Sequence, residues 1–354
     1  MTAAIETALT KPASVVDLFC GAGGLSHGFR SEGFNVVAGI DTDETCRYAF
    51  ERNNDAPLIR RDVATLSGRE VEALFVPGRH RILVGCTPCQ PFSTYNQKND
   101  DPKWELLSRF AALIEDVHPD VVSMENVPRL LAFKAGAVFQ SFVEALKARY
   151  HVVWNVLYGP DFGLAQTRSR LVLLASRLGP IAMPTPTHDP GTYRTVRDEI
   201  GSLPALSHGD TDDVDPLHCA SRLSEINARR MAASRPGGTW REWEPTLVAN
   251  CHKVTSGKGY SSVYGRMSWD APSPTITTQF YGFGNGRFGH PDQDRALSLR
   301  EGAMLQGFPR EYAFVGPGER VQFKSIGRLI GNAVPVKLAG AIARVVKSHI
   351  EAVA

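Results

Sequence analysis

Residues Val15–Gly24 read Val-Val-Asp-Leu-Phe-Cys-Gly-Ala-Gly-Gly, and this run decides the fold class. Its first half is a short β-branched and apolar strand signal. Its second half places Gly21, Gly23 and Gly24 where the chain must turn sharply into a helix over about 25–31, and glycine tolerates such a turn. A strand, a glycine turn and a helix form the entry unit of a nucleotide-type α/β sheet. Working outward, strand signals recur at 35–40, 58–61, 81–84 and 120–124, with a final pair at 151–157 and 171–175. Helical spacing lies between them at 44–52, 104–117 and 138–148. This alternation predicts an α/β fold with a doubly wound, mostly parallel sheet.

Several of these strands end in a polar residue. Asp41, Asp62 and Glu125 close three of them. A fourth ends at Gly85, and Cys86-Thr87-Pro88-Cys89-Gln90-Pro91-Phe92-Ser93 follows. Open α/β sheets gather their ligands at the carboxyl ends of strands, so Cys89 sits where a nucleophile would be used. A thiolate attacks well and leaves readily, which suits covalent catalysis. The acid at Asp41, about twenty residues beyond the glycine turn, fits the ribose-binding position of nucleotide sheets. The dinucleotide spacing G-x-G-x-x-G is absent, because Leu25 and Ser26 follow Gly24. That disfavours a nicotinamide dehydrogenase and suits S-adenosylmethionine, which has no pyrophosphate to cradle.

After Ser176 the texture changes. Pro180, Pro184, Pro186 and Pro190 break regular structure, and turn residues stay dense to about Gly318. Apolar helical spacing returns in Val336, Leu338, Ala339, Ile342 and Val345. The expected division is a catalytic and cofactor-binding domain over 1–177 plus 319–354. A smaller, irregular, β-rich domain fills 178–318.

With 43% hydrophobic residues, the 354-residue chain has a sizeable core and does not resemble a disordered one. We expect no membrane span, no secretory leader and a cytoplasmic location. Six scattered cysteines suit a reducing compartment rather than a disulfide framework. The net charge of +2 names no partner. Between Arg222 and Arg266, however, eight Lys/Arg face three Asp/Glu, with Trp240, Trp243, Tyr260 and Tyr264 interleaved. That mixture suits phosphate neutralisation with base stacking. Cys86 and Cys89 also form a C-x-x-C, open to a redox or zinc reading. His218-Cys219 and Cys251-His252 could pair at a metal, although adjacent side chains rarely reach one ion. The expectation is no metal.

Six motifs in order resemble a DNA (cytosine-5)-methyltransferase of the bacterial type. They are Asp17–Phe29, the Pro88-Cys89-Gln90 loop, Met124-Glu125-Asn126-Val127, Gln166–Arg170, Arg295–Pro309 and Gly331-Asn332-Ala333-Val334-Pro335. The resemblance implies the fold of S-adenosylmethionine-dependent methyltransferases, with the smaller domain recognising the target. It implies that Cys89 adds to C6 of a flipped-out cytosine, that Glu125 protonates N3, and that Arg170 holds O2 while Arg168 supports the loop. For the cofactor it implies Phe19 on the adenine, Asp41 on the ribose, Asp62 on the adenine amine and Leu106 lining the pocket. Asn332 and Val334 would complete that pocket. Gly21, Gly23, Gly24, Leu25, Thr42, Val63 and Pro88 are counted with it, and Thr42 stands where a bulky aromatic is frequent. Thr275 would grip the backbone of the flipped nucleotide, Ser93 is counted as a DNA contact, and Arg266 is a candidate base reader. The implied partners are double-stranded DNA and a restriction endonuclease of the same site, with the enzyme a monomer. Two alternatives stay open: a tRNA cytosine-5 methyltransferase, and a catalytically silent DNA-binding protein.

Overall fold

The computed structural model describes residues 13–89, 92 and 102–353. Ser93 lies outside them. The chain divides into two compact units. One holds the described residues up to Tyr158, then Ser169–Thr185 and those from Val336; the other holds Gly159–Arg168 and Pro186–Pro335. The segments 159–168 and 319–335, expected with the catalytic domain, pack in the second unit.

The first unit is built on seven strands. In chain order it runs β1 (Ala13–Leu18), α1 (Gly24–Ser31), β2 (Asn35–Asp41), α2 (Arg47–Asn54), β3 (Leu58–Arg60), α3 (Gly68–Glu72) and β4 (His80–Gly85). Then come α4 (Glu105–Val117), β5 (Val121–Asn126), α5 (Ala137–Lys147), β6 (His151–Tyr158), β7 (Ser169–Ser176) and a last helix, Val336–Val353. The sheet order is β3-β2-β1-β4-β5-β7-β6. The first five strands are parallel, as the alternation predicts. β7 is antiparallel to both β5 and β6 and slots between them. Every residue of β1 and β5 is buried, so these strands show no alternation of exposed and buried positions, and their polar residues Ser14, Asp17, Ser123, Glu125 and Asn126 are buried too.

Helix α4 shows how pattern becomes packing. Leu107, Phe110, Leu113, Ile114 and Val117 fall on one face, and all five are buried. They join Leu18, Leu83, Val122 and Met124 in one core. Burial of each such side chain contributes roughly 1.5–3 kcal/mol. The helix stops at His118, whose φ of 50° is left-handed. On the other side, α1 lies so close to the Val336–Val353 helix that a Cβ on Gly28 would sit 2.3 Å from Ala339 Cβ. Glu32 at the end of α1 pairs with Arg344 at 2.5 Å, and its carbonyl accepts from Lys347 Nζ at 3.2 Å.

The second unit corrects the expectation of a β-rich domain. Among the described residues it holds isolated bridges, such as Pro236 with Arg266 and Arg266 with Gly289, rather than strands. Its helices are short: α6 (Val196–Ile200), α7 (Glu225–Ala232), α8 (Asn250–Lys253), α9 (Leu299–Leu305) and α10 (Phe323–Asn332). Frequent Pro and Gly end each ladder after a single pair. A small core of Met231, Trp240, Trp243, Leu247 and Phe283 holds it together. So does an ion pair with no water access: Arg295 grips both oxygens of Glu301 at 2.7 Å. Burial alone would raise the Glu301 carboxyl, but Arg295 outweighs it and holds that carboxyl at about 2.

The stretch Phe323–Val353 is apolar enough to cross a membrane. It is interrupted at 333–335, and 78% of its most apolar window is buried in protein.

Candidate functional site

The carboxyl end of β1 turns through Phe19, whose φ of 60° is rare for a side chain of its size, and Gly21, at 51°. Strain of this kind costs on the order of 1–3 kcal/mol and clusters at ligand sites. A Cβ on Gly21 would meet no atom within 4 Å, so that glycine serves the turn and leaves open space above it. Gly23, left-handed at φ 86°, starts α1 at Gly24 and Leu25. Beneath the turn, Asp17 accepts from Ser26 Oγ at 2.7 Å while its Oδ1 has no partner. Burial pushes the Asp17 carboxyl up to about 7, against the hydrogen bond from Ser26.

Asp41 stands at the end of the neighbouring strand. Its Oδ2 accepts from the Gly21 amide and its Oδ1 from the Asp43 amide, both at 2.9 Å. Each oxygen keeps a further lone pair for a ligand hydroxyl. Burial raises its carboxyl, and the two amides oppose that. At the end of β3, exposed Asp62 caps a turn that begins at buried Val63, with its Oδ1 on the Ala64 amide. Thr42 is exposed, while Pro88 and Leu106 are half-buried. The donor set is acidic and hydroxyl-binding, with no cation among these residues. It fits an adenosine bearing a sulfonium better than a pyrophosphate.

The residues expected to react lie at the ends of β4 and β5, one and two strands beyond β1. Gly85 of β4 pairs with Met124 of β5, so the residues after each emerge side by side. Glu125 is 1% exposed. Arg170, entering β7, brings its Nε 2.6 Å from Glu125 Oε1. That contact is ionic, because the N–H is not aimed along a hydrogen bond. Asn126 donates to the Thr87 carbonyl at 3.1 Å and to its hydroxyl at 2.8 Å, stapling the Cys89 loop to β5. Beyond Cys89, the Phe92 amide donates to the Cys89 carbonyl at 3.0 Å, and its ring is in the core against Phe133. Cys89 itself is half-buried at the edge of that core. Sequence reasoning missed Cys86, Thr87 and Asn126 as supports. Only the adjacency of Asn126 to Glu125 hinted at them.

In the second unit three of the sequence motifs meet Thr275 and Ile276 in one buried network. Gln166 donates to the Leu305 carbonyl and to Gln306 Oε1, and its own Oε1 accepts from the Ile276 amide. Gln306 continues to the Ala333 carbonyl at 2.7 Å. Arg168 is 4% exposed and donates to the carbonyls of Ile276 and Gly331. Its place is a clasp between loops. Thr275 Oγ1 donates to the Thr167 carbonyl at 2.8 Å. Asn332 is exposed at the end of α10, and Val334 is buried beside it. His218 spends both ring nitrogens, on Ser298 Oγ and the Pro204 carbonyl.

Arg266 does not stand where a base reader must. It is 5% exposed, donates to the Met231 carbonyl at 2.8 Å, and pairs with Asp294 at 2.5 Å. Its charge is spent inside the unit. Arg266→Ala is therefore expected to lower stability by about 2–4 kcal/mol, since a buried cation and its acceptors lose each other. Thermal unfolding measures this, and the methylated sequence context of surviving enzyme should stay unchanged. A relaxed context at an unchanged melting temperature would restore the base-reading role.

A seven-stranded mixed α/β sheet with a glycine turn, an acid on the next strand and reactive groups at the strand ends defines the methyltransferase class of fold. Comparison bears this out. A protein of an E. coli prophage, described as a DNA modification methyltransferase, superposes with a TM-score of 0.74 at 21% identity, over 95% of this chain and 99% of that one. The family model for C-5 cytosine-specific DNA methylases matches residues 13–348. The Type II methylase M.HgiDII of Herpetosiphon aurantiacus is 52% identical over 340 residues, 96% of each chain. The Type II methyltransferase M1.HphI of Haemophilus parahaemolyticus is 31% identical, over 94% of this chain and 86% of its own. The chain belongs to the C-5 cytosine-specific DNA methylases, and it is an enzyme that methylates cytosine in specific DNA sequences.

Proposed function

We propose that the enzyme works by covalent addition of Cys89 to a cytosine turned out of the duplex, with Glu125 as the proton donor. The observation that carries this reading is the buried Glu125–Arg170 pair stapled through Asn126 to the Cys89 loop. Cytosine C5 is a poor nucleophile. When the Cys89 sulfur bonds to C6, the electrons of the C5–C6 double bond shift toward the ring nitrogen, and Glu125 supplies a proton at N3. The product is an enamine whose C5 is nucleophilic. Arg170 holds the Glu125 side chain and would hold O2. After methylation, loss of the C5 proton returns electrons to the C5–C6 bond and expels the Cys89 thiolate. A base stacked in a duplex offers C6 no such approach, so the nucleotide is flipped out, with Thr275 on its backbone.

S-adenosylmethionine fits as the methyl donor and supplies an electrophilic methyl group when bound. Phe19, Gly21, Asp41 and Asp62 would hold its adenosine, with Leu106 beside them, and Asn332 and Val334 are assigned to the same cofactor by the family resemblance. Asp41→Ala removes the acceptor for ribose hydroxyls. At roughly 1.5–3 kcal/mol for a charged hydrogen bond, cofactor affinity should fall about ten- to hundredfold. Titration calorimetry measures it, and unchanged affinity would reject the assignment.

The second unit is the part we assign to reading the sequence. Arg222–Arg266 carries both the positive charge for phosphates and the aromatic surface for bases, although Arg266 itself is excluded. Lys253 and Lys258 are its phosphate candidates. The Type II relatives support a restriction–modification setting, with a cytoplasmic monomer protecting sites that a partner endonuclease cuts. Bisulfite sequencing of DNA from cells expressing the chain tests the whole reading. Unconverted cytosine should concentrate in one sequence context, whereas uniform conversion would refute it.

A further inference from the structure

Cys86 is the part of the loop that the catalytic reading leaves unused. Its sulfur lies 2.8 Å from Glu125 Oε2, so the thiol donates to the oxygen that Arg170 does not touch. The register explains the meeting. Gly85 pairs with Met124, and the next residue on each parallel strand is Cys86 and Glu125. Burial and the neighbouring carboxylate push the Cys86 thiol up well above its ordinary range, so it keeps its proton. A protonated thiol is a donor rather than a metal ligand or an attacking sulfur.

We propose that Cys86 is a positioning residue for Glu125, fixing the plane of its carboxyl group from the side opposite Arg170. This rests on the reading of Glu125 as the proton donor. The choice of sulfur has a physical logic. Glu125 must alternate between holding a proton and giving it up. A second cation on Oε2 would hold the carboxylate in its charged form, whereas a bare methyl would leave a buried oxygen without a donor. A thiol is a weak donor. It orients the group without fixing its charge.

The test uses purified full-length protein with S-adenosylmethionine and a duplex carrying its methylation site. Cys86→Ala should lower kcat by about tenfold while both KM values stay within about twofold, the mark of an interaction used in the transition state. Cys86→Ser, whose hydroxyl can donate to the same oxygen, should recover most of the loss. A purely packing role would not separate the two in this way. In a Glu125→Gln background, measured in single turnovers, Cys86→Ala should cost nothing further. An unchanged kcat in Cys86→Ala, an equal loss in the serine variant, or a full additional loss on Glu125→Gln would each overturn the proposal. Failure of the underlying reading is separate: Glu125→Gln alone would then turn over normally.

Discussion

A Cys89→Ser enzyme is expected to fold, bind DNA and transfer no measurable methyl group, a loss of at least about a thousandfold in kcat. A free thiol is already a few per cent ionised near neutral pH and is intrinsically nucleophilic, whereas a serine hydroxyl is neither. The structure offers serine no rescue. Its loop is held by Thr87–Asn126 and by Phe92, so the backbone places the side chain whichever atom it carries. The same chemistry yields a second readout. With 5-fluorocytosine in the target site, the wild-type enzyme should form a denaturant-resistant complex with DNA, because fluorine at C5 does not leave as a proton does. Cys89→Ser should form none. Turnover near the wild-type rate, or trapping by the serine variant, would remove Cys89 from the mechanism.

Glu125→Gln comes next in size. Proton transfer by a placed side chain contributes roughly 10²–10⁴-fold, and the amide has no acidic proton to give, so kcat should fall by that order. DNA affinity should survive, since the amide still offers hydrogen bonds to the ring edge. The substitution also leaves the Arg170 guanidinium, 11% exposed, without its counter-charge. A modest drop in melting temperature is therefore expected and should be measured beside the rate. If binding, stability and turnover fall in proportion, Glu125 is a structural anchor and not a proton donor.

Much of the first unit was legible because its signals are local. The apolar face of α4 and the polar residue closing several strands are patterns of a few residues, and they placed Asp41, Asp62 and Glu125 at or next to strand ends. Strand direction is not a local property. The alternation of β6 and β7 looks the same whether β7 runs with or against β5, so its antiparallel insertion was invisible. Arg266 failed for a related reason. A basic residue among aromatics suggests a phosphate or a base, and only the fold reveals that Asp294 and three carbonyls already surround it. Cys86 and Glu125 are separated by 39 positions and meet through strand register alone. The β-rich expectation for the second unit mistook frequent turn residues for hairpins, where they mark single bridges between loops.

The contact of Gly28 with Ala339 has a consequence for synthesis. Helix α1, which begins at the glycine turn, leaves the ribosome well before the helix that packs on it. That helix, with Leu338, Ala339, Ile342, Val346 and Ile350 buried, follows only after the residues of the second unit. Throughout translation of the intervening residues, the face of α1 around Gly28 is left uncovered. The nascent chain thus carries an unfinished first unit, which closes only when residues 336–353 have emerged and docked.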